Sequence, residues 1–261
     1  MRSIRYSAIV TKLLVVSLLA ARSLSISVQA DTLNVAVASN FATTLELLTA
    51  EFELATGHTV NVISGSSGSH YAQIINGAPF DLFLSADTAR PAALELEGLI
   101  NSEQRRIYAL GRLALWSRDA ALVTDLRVLS ELGAAQRLAI ANPKLAPYGA
   151  AAAATLRYLN VYTLLQNQIV MGENISQTFQ FAYSGNAALG LVAYAQVLAA
   201  PVSGSHVLIP DAAYAPIEQE MVLLRPSAAS QALFNFLSSD AMVPILEQAG
   251  YYAPQLQQGN L

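Results

Sequence analysis

Four short stretches of the chain carry side chains that could hold something small: Ser39-Asn40, Ser66-Ser67-Gly68-Ser69, Pro147-Tyr148-Gly149 and Asn174-Ile175-Ser176-Gln177. None contains a Lys, Arg, Asp or Glu. Each follows an apolar run of strand type and leads into a stretch with helical spacing. The first N–H groups of a helix have no partner inside it, and its dipole is positive at that end, so hydroxyls and amides gathered there favour an anion. Taken singly, Ser, Asn and Gly at a helix start are ordinary caps, and Asn174 stands three residues before Gln177, the spacing of a capping box. If the four junctions converge, they form an anion cage built without a charge.

The elements that would bring them together can be read from the spacing of apolar residues. Strand Leu33 to Ala38 precedes a helix through Phe41, Leu45, Leu47, Leu48 and Phe52 that Gly57 ends. Strand Thr59 to Ile63 leads to a helix through Tyr71, Ile74 and Ile75, and strand Asp81 to Ser85 to a helix over Ala89 to Leu96. A second region opens near Leu110 to Trp116 and continues with strand Arg137 to Ala141, helix Gly149 to Leu159, strand Gln168 to Met171, a helix from Ser176, and strand Leu189 to Ala193. Pro201 to Pro216 reads as a return crossing, followed by strand Glu220 to Leu224, helix Ala228 to Leu237 and a turn around Val243 to Gln248. This alternation predicts an α/β protein with mostly parallel sheets. Two lobes are expected: residues 31–110 with 214–261, and residues 111–213, with a ligand at the carboxyl ends of the strands between them.

Composition narrows the chemistry. The 261 residues include 14 Lys and Arg, 18 Asp and Glu, and no cysteine, with only 12% charged, against about 25% in an average soluble domain. A net charge of −4 leaves no basic footprint for nucleic acid. Without cysteine there are no disulfides, thiolate metal sites or thiol nucleophiles. Residues 1–30 read as a secretory signal peptide, with Arg2, Arg5 and Lys12 ahead of the apolar run Leu13 to Ala21 and small residues before Ala30. Cleavage there removes four cations and no acid, lowering the net charge from −4 to −8. An anion held by such a chain through neutral donors alone must be fully deprotonated, because a protonated oxygen would need a carboxylate acceptor. Molybdate, tungstate and sulfate meet that condition; hydrogen phosphate does not.

Other candidates are weaker. His58, His70 and His206 lack any partner at metal-ligand spacing, although His70 could support the second junction. Asp81 and Asp87 flank one strand without an evident acid or base partner, and Asp87 is expected to cap a helix or organise the cleft. Gly65-Ser66-Ser67-Gly68-Ser69 misses the nucleophile-elbow pattern GxSxG by its last residue, which leaves a periplasmic serine hydrolase using Ser67 as a rival of a different class. No phosphate-loop or dinucleotide fingerprint is present. Trp116, Tyr251 and Tyr252 read as packing residues, though they keep an organic-solute binder open, as a scaffold without ligand also stays open.

The segments VAVASNF, SGSSGSHYAQI, NGAPFDLFLSAD, LAIANPKLAPYGAAA and ENISQTFQFAYSGNAALGLVA resemble, in order, those of the periplasmic molybdate-binding proteins of ABC importers. The resemblance spans residues 33–253. It implies two Rossmann-like lobes around a ligand cleft, the type II periplasmic binding protein fold, with no enzymatic activity, no cofactor and no bound metal cation. It also implies a monomer in the periplasm that delivers molybdate or tungstate to a membrane permease; another oxyanion such as sulfate is the alternative. By the same resemblance the oxyanion falls to Ser39, Asn40, Ser67 with its neighbour Ser66, Tyr148, and Ile175 through its backbone. Part of the family takes a hydroxyl from a tyrosine directly after the LGIV-type strand; Ala193 stands there, so that role is expected of Tyr148. Tyr194 is set aside because a continuing strand would turn it to the opposite face.

Overall fold

The structure is a computed structural model and describes residues 30–254. The expected signal peptide lies outside the described residues, save Ala30. In chain order the strands are β1 (Thr32–Ala38), β2 (Thr59–Gly65), β3 (Leu82–Leu84), β4 (Arg105–Gly111), β5 (Leu113–Ser117), β6 (Leu138–Ala141), β7 (Ile169–Gly172), β8 (Leu189–Ala193), β9 (Ser205–Leu208) and β10 (Ile217–Leu223). The helices are α1 (Ala42–Thr56), α2 (Ser67–Ile75), α3 (Ala89–Leu96), α4 (Pro147–Tyr158), α5 (Tyr162–Leu165), α6 (Ile175–Tyr183), α7 (Tyr194–Leu198), α8 (Ala228–Leu237) and α9 (Val243–Gln248). Among the described residues no helix is long and apolar enough to cross a membrane.

Two five-stranded sheets share one plan: β2-β1-β3-β10-β4 in the first and β7-β6-β8-β5-β9 in the second. In each, the second strand, β1 or β6, pairs in parallel with both neighbours, and one strand, β10 or β5, runs antiparallel to both of its own. The expectation of mostly parallel sheets therefore holds for strand direction, all but one strand in each sheet running the same way, and is corrected for pairing, which is parallel and antiparallel in equal number. The cause is the crossing between sheets. The chain leaves the first sheet along β4, passes through Arg112 into β5, and returns along β10 beside β4. A strand that returns beside the one that left must run against it, and β5 with β9 obey the same rule in the second sheet.

Alternation along the strands divides the core. Val35, Val37, Leu82, Leu84, Met221 and Leu223 face one cluster closed by Leu45, Phe52 and Leu233, while Ala36, Phe83 and Val222 face another closed by Ile74 and Leu94. In the second sheet Leu113, Leu115, Leu138, Ile140, Leu189 and Leu191 point into one cluster and Trp116 and Val192 into a second. Period-two alternation with both faces apolar is what a sheet covered by helices requires. Gly57 ends α1 in the left-handed conformation, φ 75°, where its N–H meets Glu53 O.

Two local expectations change. Residues 201–216 are more than a crossing, because Ser205–Leu208 form edge strand β9 against β5; its sequence SHVL is too short and polar to stand out. The chain also turns into α7 at Tyr194 instead of continuing as a strand. The Arg112 guanidinium lies 4.8 Å from the ring centre of Tyr194 and 4.6 Å from that of Tyr252, which places both tyrosines at the crossing.

Candidate oxyanion site

The loops that follow β1, β2, β6 and β7 meet at the carboxyl ends of the two sheets, around one small cavity. Ser39, Asn40, Ser66, Ser67, Tyr148 and Ile175 all line it, and all six are buried. The rest of the wall is Ala38, Gly65, Ala86, Ala146 and Pro147. No charged side chain faces the cavity. An open cleft beside it is lined mainly by Ala and Pro, and its Arg90 is already paired with Asp87 and with Lys144 O.

The first sheet contributes hydroxyls held in place by its own backbone. Ser67 Oγ accepts from Ala86 N at 2.9 Å, which leaves its proton free for a ligand. Ser66 caps α2 by accepting from Ser69 N at 3.2 Å. Ser39 N donates to Gly65 O, while Ser39 Oγ reaches the second sheet's loops, donating to Asn174 Oδ1 and accepting from Ser176 N, each at 3.3 Å. The Asn40 amide turns away from the cavity: Nδ2 donates to Gln219 Oε1 at 2.8 Å and to the Tyr251 hydroxyl at 3.3 Å. Asn40 therefore borders the cavity chiefly through its backbone.

The second sheet presents one phenol and helix ends. Tyr148 is the second residue of α4, after Pro147, whose missing N–H costs nothing in a first turn. Gly149 lets α4 abut β6, since a Cβ there would lie 2.2 Å from Ala141 O. The Tyr148 hydroxyl is buried without a hydrogen-bond partner. An unpaired buried hydroxyl is costly, and it belongs to a residue that lines the cavity. Burial pushes its pKa well above the ordinary phenol value, so it remains a proton donor at neutral pH. Ile175 opens α6 with its side chain in the core, leaving its N–H without an intrahelical acceptor. Asn174 caps α6 by accepting from Gln177 N at 2.9 Å. The expected capping box is incomplete, because Gln177 Oε1 takes its proton from Glu173 N instead of Asn174 N.

Further bonds cross between the loops of the two sheets. Gly68 N donates to Leu145 O at 2.9 Å, Ser176 Oγ to Ser39 O at 3.1 Å and Arg90 to Lys144 O at 3.0 Å.

Other sequence candidates find structural partners. His70 Nε2 meets Val37 O at 3.1 Å, and burial lowers its pKa. Among the described residues no hydrogen bond joins His70 to Ser67 Oγ, whose bonded neighbour is Ala86 N, so the pairing that a Ser67 nucleophile would need is not made. His58 Nδ1 accepts from Asp31 N, and Asp81 accepts from Asn34 N. Asp87 accepts from Arg90 N at the start of α3 and from Ser85 Oγ. Among the described residues no cluster of three His, Cys, Asp or Glu could hold a metal ion. Trp116 and Tyr251 are buried. Sequence reading missed Gln219, which is fully buried at a bulge in β10 and takes hydrogen bonds from both Asn40 and Tyr108. The available signal was a lone amide within the strand IEQEMVL.

Comparison with known proteins agrees with this arrangement. Residues 33–252 match the family model of bacterial extracellular solute-binding proteins. A molybdate-binding protein ModA from Rhodobacter capsulatus is 42% identical over 219 residues, 83% of this chain and 86% of that protein. The structure of the Azotobacter vinelandii periplasmic molybdate-binding protein superposes with a TM-score of 0.80 at 40% identity, covering 85% of this chain and all of that one. The sulfate-binding protein SubI of Mycobacterium tuberculosis, 16% identical with a TM-score of 0.71 over 87% of this chain and 88% of its own, shares the fold. The chain belongs to the bacterial extracellular solute-binding protein family.

Proposed function

We propose that this chain captures molybdate, and tungstate with it, outside the cytoplasmic membrane and delivers it to the permease of an ABC importer. The observation that carries this reading is the convergence of four uncharged loops on one small space, with the Tyr148 hydroxyl buried and unpartnered among the described residues. A dianion supplies acceptors for every donor and needs no proton acceptor in return. With no Lys or Arg in the wall, affinity comes from preorganised hydroxyls and helix N-termini, each hydrogen bond to a charged oxygen contributing about 1.5–3 kcal/mol. The molybdate-binding relatives at 42% and 39% identity support the choice of ligand.

In this reading Ser39, Asn40, Ser66 and Ser67 act from the first lobe, residues 31–110 with 214–261, and Tyr148 and Ile175 from the second, residues 111–213. Hinge closure brings the two sets onto the oxyanion, and the bonds across the cleft hold the closed form. The mature protein begins after Ala30, works as a monomer in the periplasm and carries the oxyanion as cargo, with no cofactor. Cavity size is what discriminates against sulfate.

The test is a calorimetric titration of the mature chain with molybdate, tungstate, sulfate and chromate. Tight binding of molybdate and tungstate, with sulfate far weaker, is expected. Tight sulfate binding without molybdate binding would overturn the ligand while leaving the family intact.

A further inference from the structure

A line of buried hydrogen bonds runs from the first lobe to the cage, and its polarity can be worked out from one end. The Tyr251 hydroxyl lies 2.7 Å from Asn40 O. A carbonyl only accepts, so the Tyr251 proton is committed to it. The Tyr251 oxygen is then left as an acceptor, and Asn40 Nδ2, 3.3 Å away, donates to it, with Asn40 Oδ1 buried and unpartnered on the other side of the amide. The second proton on Nδ2 goes to Gln219 at 2.8 Å, which must present its oxygen there. Tyr108 Oη, 3.1 Å from the same oxygen, is compatible with that orientation.

Gln219 Nε2 is consequently turned the other way. It is buried without a partner, as is the Tyr148 hydroxyl, and the two groups crowd one place. A Cβ added to Gly111 would lie 2.2 Å from Tyr148 Oη and 2.9 Å from Gln219 Nε2. Nε2 has only protons to offer, so a hydroxyl facing it accepts and sends its own proton elsewhere.

We propose that Gln219 is a positioning residue of the cage: its amide presents N–H to the Tyr148 oxygen and so turns the phenol proton toward the oxyanion. The inference rests on the oxyanion reading above and adds the group that makes Tyr148 a donor instead of an acceptor. Gln219 does not line the cavity; it acts on the site through Tyr148 on one side and through Asn40 on the other. It joins the first-lobe loop at Asn40 to the second-lobe phenol, and Gly111 at the crossing leaves room for both.

A double-mutant cycle read by molybdate calorimetry tests this. Tyr148→Phe is expected to weaken binding about 10- to 100-fold, and Gln219→Met, which keeps the volume, about 3- to 10-fold through the loss of orientation. In the Tyr148→Phe background, Gln219→Met should then cost clearly less than in the unaltered chain, because no proton remains to direct and only the hold on Asn40 is lost. Equal losses in both backgrounds would make Gln219 merely structural, and an unchanged affinity for Gln219→Met alone would also overturn the proposal. If Gln219→Met does not fold, Gln219→Leu completes the same cycle. Binding of molybdate by the unaltered chain separates the two readings: its absence sinks both, whereas its presence with an additive cycle sinks only the role of Gln219.

Discussion

The turn from β2 into α2 and the turn from β7 into α6 are the same device built twice. Each strand ends in glycine, Gly65 or Gly172, each helix has a side-chain N-cap, Ser66 or Asn174, and the first helical residue, Ser67 or Ile175, lines the cavity. Three residues later His70 or Thr178 fills the space beside the glycine. The differences lie in what the first residue offers. Ser67 adds a hydroxyl to its N–H, while Ile175 has only its N–H to give because its side chain belongs to the core. In the function proposed above, one copy would bind through a side chain and the other through the helix end, and substitutions should separate affinity from stability in opposite ways.

The largest effect is expected at Ile175. Ile175→Ala should lower stability by about 2–5 kcal/mol in urea unfolding while leaving molybdate affinity within about twofold, since the N–H survives. A large loss of affinity in a folded variant would show that the side chain itself shapes the cage. Next come the two glycines. A Cβ at Gly172 meets backbone, Thr178 N at 2.7 Å and Asn174 O at 2.9 Å, whereas at Gly65 it meets only the His70 ring, 2.7 Å away. Gly172→Ala should therefore cost about 3 kcal/mol and Gly65→Ala about 1 kcal/mol, and the reverse order would mean that the His70 ring is held more rigidly than the second turn.

Ser67→Ala should weaken molybdate binding by about 1.5–3 kcal/mol, read by calorimetry, because the hydroxyl lost is the one whose proton is free. The smallest effect concerns pH. Burial lowers the pKa of His70 in the folded protein, so the unfolded chain takes up a proton first as pH falls. The stability contributed by neutral His70 is complete above the ordinary imidazole value and is lost as pH falls through that value toward the folded one. Scanning calorimetry from about pH 8 to about pH 5 should show this fall, and His70→Gln should remove that part of it. Thr178 gives the second turn no such dependence.

Much of the fold was legible because strands buried on both faces and helices with one apolar stripe leave strong patterns. Leu189–Ala193 and Ala228–Leu237 fall within the limits read from their residues. Edge strand β9 escaped because none of its four residues is fully buried, and β4 merged with β5 because Arg112 is the single residue between them. The mixed sheets follow from where the chain crosses, which periodicity does not record. At the cavity, Ser66 and Asn174 announced themselves as caps by position. Gln219 did not, because an amide within a strand acquires meaning only through Asn40 and Tyr108, 179 and 111 residues away.

The central claim is that neutral donors select a fully deprotonated oxyanion. Its most direct test is calorimetric titration of the mature chain with molybdate beside phosphate at pH 7. The account predicts tight molybdate binding and no measurable heat with phosphate, whose protonated oxygen finds no carboxylate in the wall. Phosphate binding as tight as molybdate binding would contradict it.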